Sequence, residues 1–195
     1  MRRLFAVTLP CLFLMLVGCG TTPNPRFYAL TGAAPPASSS SELSVAVGPV
    51  TIPASVDRPQ IVVTVSPNRV RLEEFDRWAA PLQNDIARAV VANLVAALDT
   101  PRVMLASAPV TASVEYRAII EIQRFESVPG EAATLEAVWA VSRTKDGKSQ
   151  TGRTTTREAT ADGSFDALAA AHSRAIGRLS QDLANAVREI GRPGG

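Results

Sequence analysis

An apolar stripe near the carboxyl end constrains the fold of this chain more than any other feature. Apolar side chains recur at every third or fourth position from Phe165 to Ile190, which is the period of one face of an α-helix. Ser164 is a favourable N-cap, and Gly191 followed by Pro193 ends the pattern. A helix of about seven turns with one apolar face is stable only when that face is buried, so the rest of the chain must supply a surface to cover it.

Segments of alternating apolar and polar residues predict that this surface is a β-sheet. Strands are expected at 43–50, 60–65, 70–75, 102–106, 114–123, 135–141 and 151–160. Asp146-Gly147 predicts a hairpin before the last strand, whose threonine-rich sequence places it at a sheet edge or facing water. A second helix is predicted over 81–98, with Pro81 at its first position. The order β-β-β-α-β-β-β-β-α predicts one α/β domain, a mixed sheet with two long helices packed against it.

The amino terminus predicts an export signal that ends in a lipid-modified cysteine. Arg2 and Arg3 precede an apolar run that contains Pro10 and is too short to cross about 30 Å of hydrocarbon. Leu16-Val17-Gly18-Cys19 matches the bacterial lipobox, in which a peptidase cuts before a cysteine that then carries acyl chains such as palmitate. We therefore expect Cys19 to be the lipidation site. An ordinary signal peptide with an incidental cysteine is the alternative.

Removal of the signal limits the remaining chemistry. Cys11 would leave with it, so acylated Cys19 would be the one remaining cysteine, which excludes an internal disulfide, a cysteine-rich metal site and a free thiol. The full chain has 20 basic and 18 acidic residues, and loss of Arg2 and Arg3 leaves 18 of each. A neutral chain without a long basic run is not expected to bind nucleic acid.

The segment after Cys19 predicts a tether and a location. Gly20, in place of the aspartate that retains lipoproteins at the inner membrane, predicts the periplasmic face of the outer membrane in a Gram-negative cell. The composition of 20–42 is typical of a flexible linker that spans about 25 Å as a coil and at most about 75 Å when stretched. Within it, Arg26–Leu30 is apolar enough to dock as a short strand. The predicted divisions are a signal at 1–18, a lipidated tether at 19–42, a folded domain at 43–191 and a disordered tail at 192–195.

Few residues could support catalysis. His172 is the only histidine, which excludes a multi-histidine metal site, and it lies on the apolar stripe, where a buried histidine with one hydrogen bond is favoured over a catalytic base. We expect no enzyme activity, no metal and no cofactor apart from the acyl lipid on Cys19. Trp78 either seats the helix on the sheet or, with Arg77 beside it, forms an exposed anchor for a partner.

Three segments resemble one protein family. Val47–Pro53 followed by Val56–Val62 resembles the VGPV-x-(I/L)-P…LDRPQIV block of ABC-type transport auxiliary lipoproteins of the PqiC/YmbA type. Arg77–Leu82 resembles the RWAEPL segment of that family, and Phe27–Leu30 resembles its YY-x-L. This chain departs from the pattern at Ala80, Val56 and Phe27, where the family usually has glutamate, leucine and tyrosine.

The resemblance implies a subunit of an MCE-domain lipid transport system, in which the lipoprotein docks the end of a periplasmic tunnel protein to the outer membrane and forms a homo-oligomer. We expect the partner to contact a rim stiffened by proline and its neighbouring segment, comprising Pro49, Pro53, Asp57, Arg58, Pro59, Gln60, Arg77 and Trp78. A rigid turn that merely pairs two strands is the alternative for the rim. The alternative functions are a solitary periplasmic lipid carrier and an outer-membrane biogenesis lipoprotein.

Overall fold

The computed structural model describes residues 23–33, 41–106 and 114–192. Its strands are β1 (Arg26–Tyr28), β2 (Val45–Thr51), β3 (Gln60–Ser66), β4 (Arg69–Trp78), β5 (Val103–Leu105), β6 (Tyr116–Val128), β7 (Ala132–Arg143) and β8 (Ser149–Ala159), and its helices are α1 (Leu82–Leu98) and α2 (Phe165–Gly191). The predicted signal at 1–18, Cys19 and all but the first residue of the predicted tail lie outside the described residues.

The strands form two mixed sheets. One has three strands in the order β1-β4-β3, and the other has five in the order β5-β2-β6-β7-β8. β1 is parallel to β4, and β2 is parallel to both β5 and β6, whereas the other pairs are antiparallel. The predicted α/β class is confirmed, and the predicted element order matches broadly. Two sheets replace the single expected sheet. After the turn that follows β2, β3 does not pair with β2 but pairs with β4 in a separate sheet.

The core lies between the five-stranded sheet and the helices. The predicted stripe is the buried face of α2, where Leu168, Leu179 and Leu183 expose none of their surface. The Ser164 hydroxyl caps this helix by accepting a hydrogen bond from the Ala167 N–H at 3.1 Å. Full burial of each leucine contributes about 1.5–3 kcal/mol, so this interface is a major source of stability.

The ends of the elements follow signals in the sequence. α1 begins at Leu82, and Pro81 is its N-cap. The helix therefore starts one residue later than predicted, since the sequence places Pro81 at the first helical position. It ends at Asp99, whose left-handed φ of 51° is tolerated better by aspartate than by most residues. The predicted hairpin is present between β7 and β8, where Gly147 adopts a φ of 71° and Asp146 accepts hydrogen bonds from Arg143. β8 is an edge strand, as its composition predicts.

A buried carboxylate holds β1 against β4. Two nitrogens of the Arg26 guanidinium donate to the two carboxylate oxygens of Asp76 at 2.8 Å each, and the Tyr28 hydroxyl donates to the same carboxylate at 2.8 Å. Burial alone would raise the pKa of Asp76, but the hydrogen bonds from Arg26 and Tyr28 outweigh it and hold that pKa below its ordinary value. Burial, helped by Asp76, raises the pKa of Tyr28 to about 12. The contact therefore keeps Asp76 charged and Tyr28 neutral.

The chain after β1 stays attached to the domain. The Leu30 N–H donates to the buried carboxylate of Asp85 on α1 at 2.8 Å, and the Thr31 N–H donates to the Ser173 hydroxyl on α2 at 3.0 Å. The predicted short strand near residue 26 is therefore present. Within the segment predicted as a tether, β1 and the residues that follow it are therefore held against the domain.

Asp76→Asn removes the charge that holds β1 while keeping the shape of the side chain. We expect the Ala79 amide, which donates to the Tyr28 carbonyl at 2.7 Å, to exchange with solvent about tenfold faster or more. The Trp78 amide is an internal control, because it donates to the Pro59 carbonyl at 2.7 Å and does not depend on β1. Native-state hydrogen exchange measures both amides, and equal acceleration of the two would contradict a local role for Asp76.

The absence of a side chain at Gly152 makes room for an indole ring. Gly152 on β8 pairs directly with Trp139 on β7, and a Cβ at this position would lie 2.2 Å from the ring. The Trp139 indole N–H donates to the Thr154 hydroxyl at 3.0 Å, which fixes the ring in place. The ring therefore cannot move away without losing a buried hydrogen bond.

Gly152→Ala should lower the free energy of unfolding by about 1–3 kcal/mol, because the ring must shift. Gly177→Ala is the matched control: a Cβ there meets no atom within 4 Å, and the position lies inside α2. That control should raise stability by about 0.5–1 kcal/mol, because alanine favours a helix over glycine. Urea denaturation followed by circular dichroism measures both, and a neutral Gly152→Ala would show that Trp139 repacks freely.

Candidate functional site

A pocket of about 350 Å³ lies at the amino-terminal end of α1. One wall is the turn between β2 and β3, and the other is the junction between β4 and α1. The lining residues are Asp57, Arg58, Pro59, Trp78, Ala79, Ala80, Pro81 and Leu82. Two of the three segments that carry the family resemblance therefore meet at one surface, although about twenty residues separate them in the chain.

Backbone hydrogen bonds fix the shape of the turn. The Val56 N–H donates to the Pro53 carbonyl at 3.1 Å, and the Arg58 N–H donates to the Val56 carbonyl at 2.8 Å. The Trp78 N–H then donates to the Pro59 carbonyl at 2.7 Å, which joins the turn to the end of β4. Because two prolines also restrict φ in this stretch, the rim loses little conformational entropy when a partner binds.

The opposite wall is the beginning of α1. The Pro81 carbonyl accepts from the Asp85 N–H at 3.1 Å, which starts the helix, and the Gln83 side-chain amide donates to the Val50 carbonyl at 2.7 Å, which ties the helix to β2. The free N–H groups of the first turn give this end of the helix a partial positive charge. The guanidinium of Arg58 adds a full positive charge to the same rim.

The structure brings together four of the eight residues expected to contact a partner. Asp57, Arg58, Pro59 and Trp78 line the pocket. Both Asp57 and Arg58 are exposed, and neither forms an ion pair with any other part of the chain that the structure describes. Their charges are therefore available to a partner.

The other four residues lie outside the pocket. Gln60 and Arg77 pair across β3 and β4, and the Arg77 side chain donates to the Glu74 carbonyl at 2.8 Å. Pro53 lines a separate hollow of about 200 Å³ beside β6, and Pro49 is exposed on β2 after a cis peptide bond. Sequence reasoning missed the contribution of residues 79–82, although the motif at 77–82 contains them.

Trp78 is buried and not exposed. Only 5% of its surface is accessible, so its interpretation as an exposed anchor is wrong. Its ring lies edge-on to Phe125 of β6 at 6.2 Å and to His172 of α2 at 6.1 Å. Burial of this large aromatic contributes more to stability than an exposed position would, which is the physical reason for its placement. Trp78 therefore forms the floor of the pocket and joins it to the core.

His172 completes the cluster behind that floor. Its ring stacks on Phe125 at 3.9 Å, its Nε2 is 2.8 Å from the Ser127 hydroxyl, and its Nδ1 has no hydrogen-bond partner within the described ranges. Burial lowers the pKa of His172 to about 3, so the imidazole is neutral in the folded protein. The interpretation of a buried histidine with one hydrogen bond is confirmed.

His172 should make the folded state sensitive to acid. The unfolded chain takes up a proton at this residue below about pH 6.5, whereas the folded chain does not do so until about pH 3. The stability that neutral His172 contributes is therefore complete above pH 6.5 and is lost as the pH falls toward 3, at about 1.4 kcal/mol per pH unit.

His172→Gln should remove that slope from the free energy of unfolding between pH 6.5 and 4.5, as measured by urea denaturation. Ser127→Ala is the control, because it removes the hydrogen bond but keeps the titrating ring, so the slope should persist. An unchanged slope in His172→Gln would assign the acid sensitivity to carboxylates.

The arrangement of side chains favours binding over reaction. The pocket has a mostly apolar floor, a stiff rim and two unpaired opposite charges, which are features of a recognition surface. Among the residues with described positions, no group of three or more His, Cys, Asp or Glu side chains could hold a metal ion. Within the same residues, no helix is long and apolar enough to cross a membrane. The fold and the pocket define a small α/β protein with a preformed pocket at the start of α1.

Comparison with known proteins identifies the family. A family model described as "ABC-type transport auxiliary lipoprotein component" matches residues 28–184. The chain belongs to this family of transport components, as the three sequence motifs predict. The family is not a class of enzymes.

Solved structures share the fold. A crystal structure of an uncharacterized protein is 16% identical, with a TM-score of 0.70 over 85% of this chain and 99% of that chain. A crystal structure of a protein from Xanthomonas campestris is 22% identical, with a TM-score of 0.65 over 85% of this chain and 96% of that chain. A search of curated proteins finds no match.

Proposed function

We propose that this chain docks the periplasmic tunnel protein of an MCE-type lipid transport system to the outer membrane, where acyl chains on Cys19 anchor it. Membership of its family makes it an auxiliary lipoprotein component of an ABC-type transport system. The MCE-domain partner, the outer membrane and a homo-oligomeric state belong to the proposal. The pocket between the 57–59 turn and the start of α1 is the surface to which we assign the partner.

The observation that carries the proposal is the meeting of two motifs at one rim. Asp57 and Arg58 extend into solvent from a hydrogen-bonded turn, and the apolar floor of Trp78 and Leu82 lies beside them. An apolar floor with charged groups at its rim suits a protein segment that inserts an apolar side chain and pairs its own charges at the edge. A preformed site of this kind needs little reorganisation on binding.

The packing of the core favours a docking subunit over a solitary lipid carrier. A carrier needs an apolar cavity between sheet and helices that is large enough for an acyl chain. The side chains that fill this space are completely buried, as seen at Leu135, Ala137, Leu168, Ile176 and Leu183. No cavity large enough for an acyl chain therefore contacts them. Membership of a transport family likewise favours this role over outer-membrane biogenesis.

Arg58→Glu should weaken binding to the MCE-domain partner by about tenfold or more, because it reverses the sign of an unpaired charge at the rim. A pull-down with the purified partner, followed by titration, measures the loss. The circular dichroism spectrum should not change, because the Arg58 side chain is exposed and the turn is held by backbone hydrogen bonds.

Arg69→Glu is the matched control. It makes the same charge change on another exposed arginine, at the far end of β4 from Trp78. Binding that is retained in Arg69→Glu and lost in Arg58→Glu would assign the interaction to the pocket. Equal binding by wild type and Arg58→Glu, with both folded, would refute that assignment.

A further inference from the structure

The attachment of β1 leaves only a short segment between Cys19 and the folded domain. Six residues, 20–25, separate Cys19 from Arg26, and a chain of this length spans at most about 25 Å. A domain of about 150 residues has a radius of gyration of roughly 15 Å, so its diameter exceeds the reach of the segment. The domain therefore cannot turn an arbitrary face toward a membrane that holds Cys19. The face that carries β1 must stay near it.

That face exposes aromatic side chains. Alternation along β1 places Phe27 on the side of the small sheet opposite Tyr28, and alternation along β4 places Phe75 and Arg77 on the side opposite Trp78. Phe27 exposes 61% of its surface and Phe75 exposes 37%. A three-residue strand has no need of an exposed phenylalanine for its own stability, since the Arg26 and Tyr28 contacts with Asp76 already hold it.

The chemistry of this face suits the interfacial region of a bilayer. Exposed phenylalanines favour the boundary between headgroups and acyl chains. The half-exposed Arg77 guanidinium donates from Nε to the Glu74 carbonyl and lies 4.0 Å from the Glu74 carboxylate, and its remaining N–H groups can contact lipid phosphates. The Phe27 and Arg77 backbones are directly paired, so an aromatic ring and a cation lie side by side on the sheet. This face includes β1, the first strand after Cys19 in the chain. Proximity to the membrane and suitable side chains thus coincide.

We infer that the outer face of the three-stranded sheet, formed by Phe27, Phe75 and Arg77, rests on the surface of the bilayer that holds the acyl chains of Cys19. This inference depends on the acylation that is part of the proposed function. The lipid chains supply the anchor, and the aromatic face fixes the orientation of the domain. A lipoprotein on a long tether would have no fixed orientation, whereas this one would hold its pocket at a constant height above the membrane.

Site-specific labelling in the full lipidated protein tests the orientation. Acylation of Cys19 leaves the mature chain without a free thiol, so Phe27→Cys and Phe75→Cys each carry a single environment-sensitive fluorophore. Ile119→Cys is the matched control, because Ile119 is an apolar residue with 48% exposure on β6 of the other sheet. Each protein is reconstituted into vesicles of phosphatidylethanolamine and phosphatidylglycerol, with or without lipid brominated near the headgroup end of its acyl chains.

Because interfacial side chains lie roughly 5–10 Å into the boundary region, bromine should quench labels at positions 27 and 75 about threefold more than the label at 119. Equal quenching at all three positions would overturn the inference. Protection of positions 27 and 75 from an aqueous quencher without quenching by bromine would also overturn it, by showing that protein covers this face. Failure of the protein to float with vesicles would refute acylation itself, and with it the inference, whereas flotation with equal quenching refutes the orientation alone.

Discussion

The contact between Asp76 and β1 is the interaction on which the arrangement of this protein depends. A buried carboxylate is costly unless hydrogen bonds and an opposite charge compensate it, and Arg26 and Tyr28 supply both. Their side chains come from a strand of only three residues. The Tyr28 ring then packs 6.0 Å from Phe165 at the start of α2, which joins the small sheet to the main helix. Together with the contacts of Leu30 with Asp85 and of Thr31 with Ser173, this carboxylate makes β1 part of the domain.

Trp78, two residues beyond Asp76 on β4, shows how the core supports the pocket. Trp78 lies between the pocket and the stacked rings of Phe125 and His172, so the floor of the pocket is continuous with the core. A close-packed interior has few alternative arrangements, which makes such a floor rigid. The neutral state of His172 contributes to this rigidity, because a charged imidazole would be unstable in the same surroundings. Rigidity lowers the entropic cost of binding and so favours a docking role over one that requires the domain to open.

Local patterns in the sequence predict the elements well, and they fail where distant residues decide the outcome. The stripe from Phe165 to Ile190 predicts α2 because the helical period depends only on residues that are close together in the sequence. The division into two sheets depends on which strand β3 meets, and the alternation in 60–65 holds no information on that choice. The composition of 20–42 resembles a linker, yet Arg26 and Tyr28 find Asp76 some fifty residues later. The same limit applies to the site: each motif suggests recognition, but only the fold brings Arg58 and Trp78 together.

The position of the pocket relative to β1 connects the two proposals. Ala79 lines the pocket, and its N–H donates to the Tyr28 carbonyl at 2.7 Å, so one hydrogen bond joins the pocket wall directly to β1. A partner bound in the pocket would lie beside β1, the edge strand of the three-stranded sheet whose outer face we place on the bilayer. If the anchor and the aromatic face fix the domain, a tunnel protein seated in the pocket would end close to the membrane, which shortens the path that a lipid crosses in water. A long tether could hold the two components together but could not set that distance, because a flexible chain fixes neither height nor orientation.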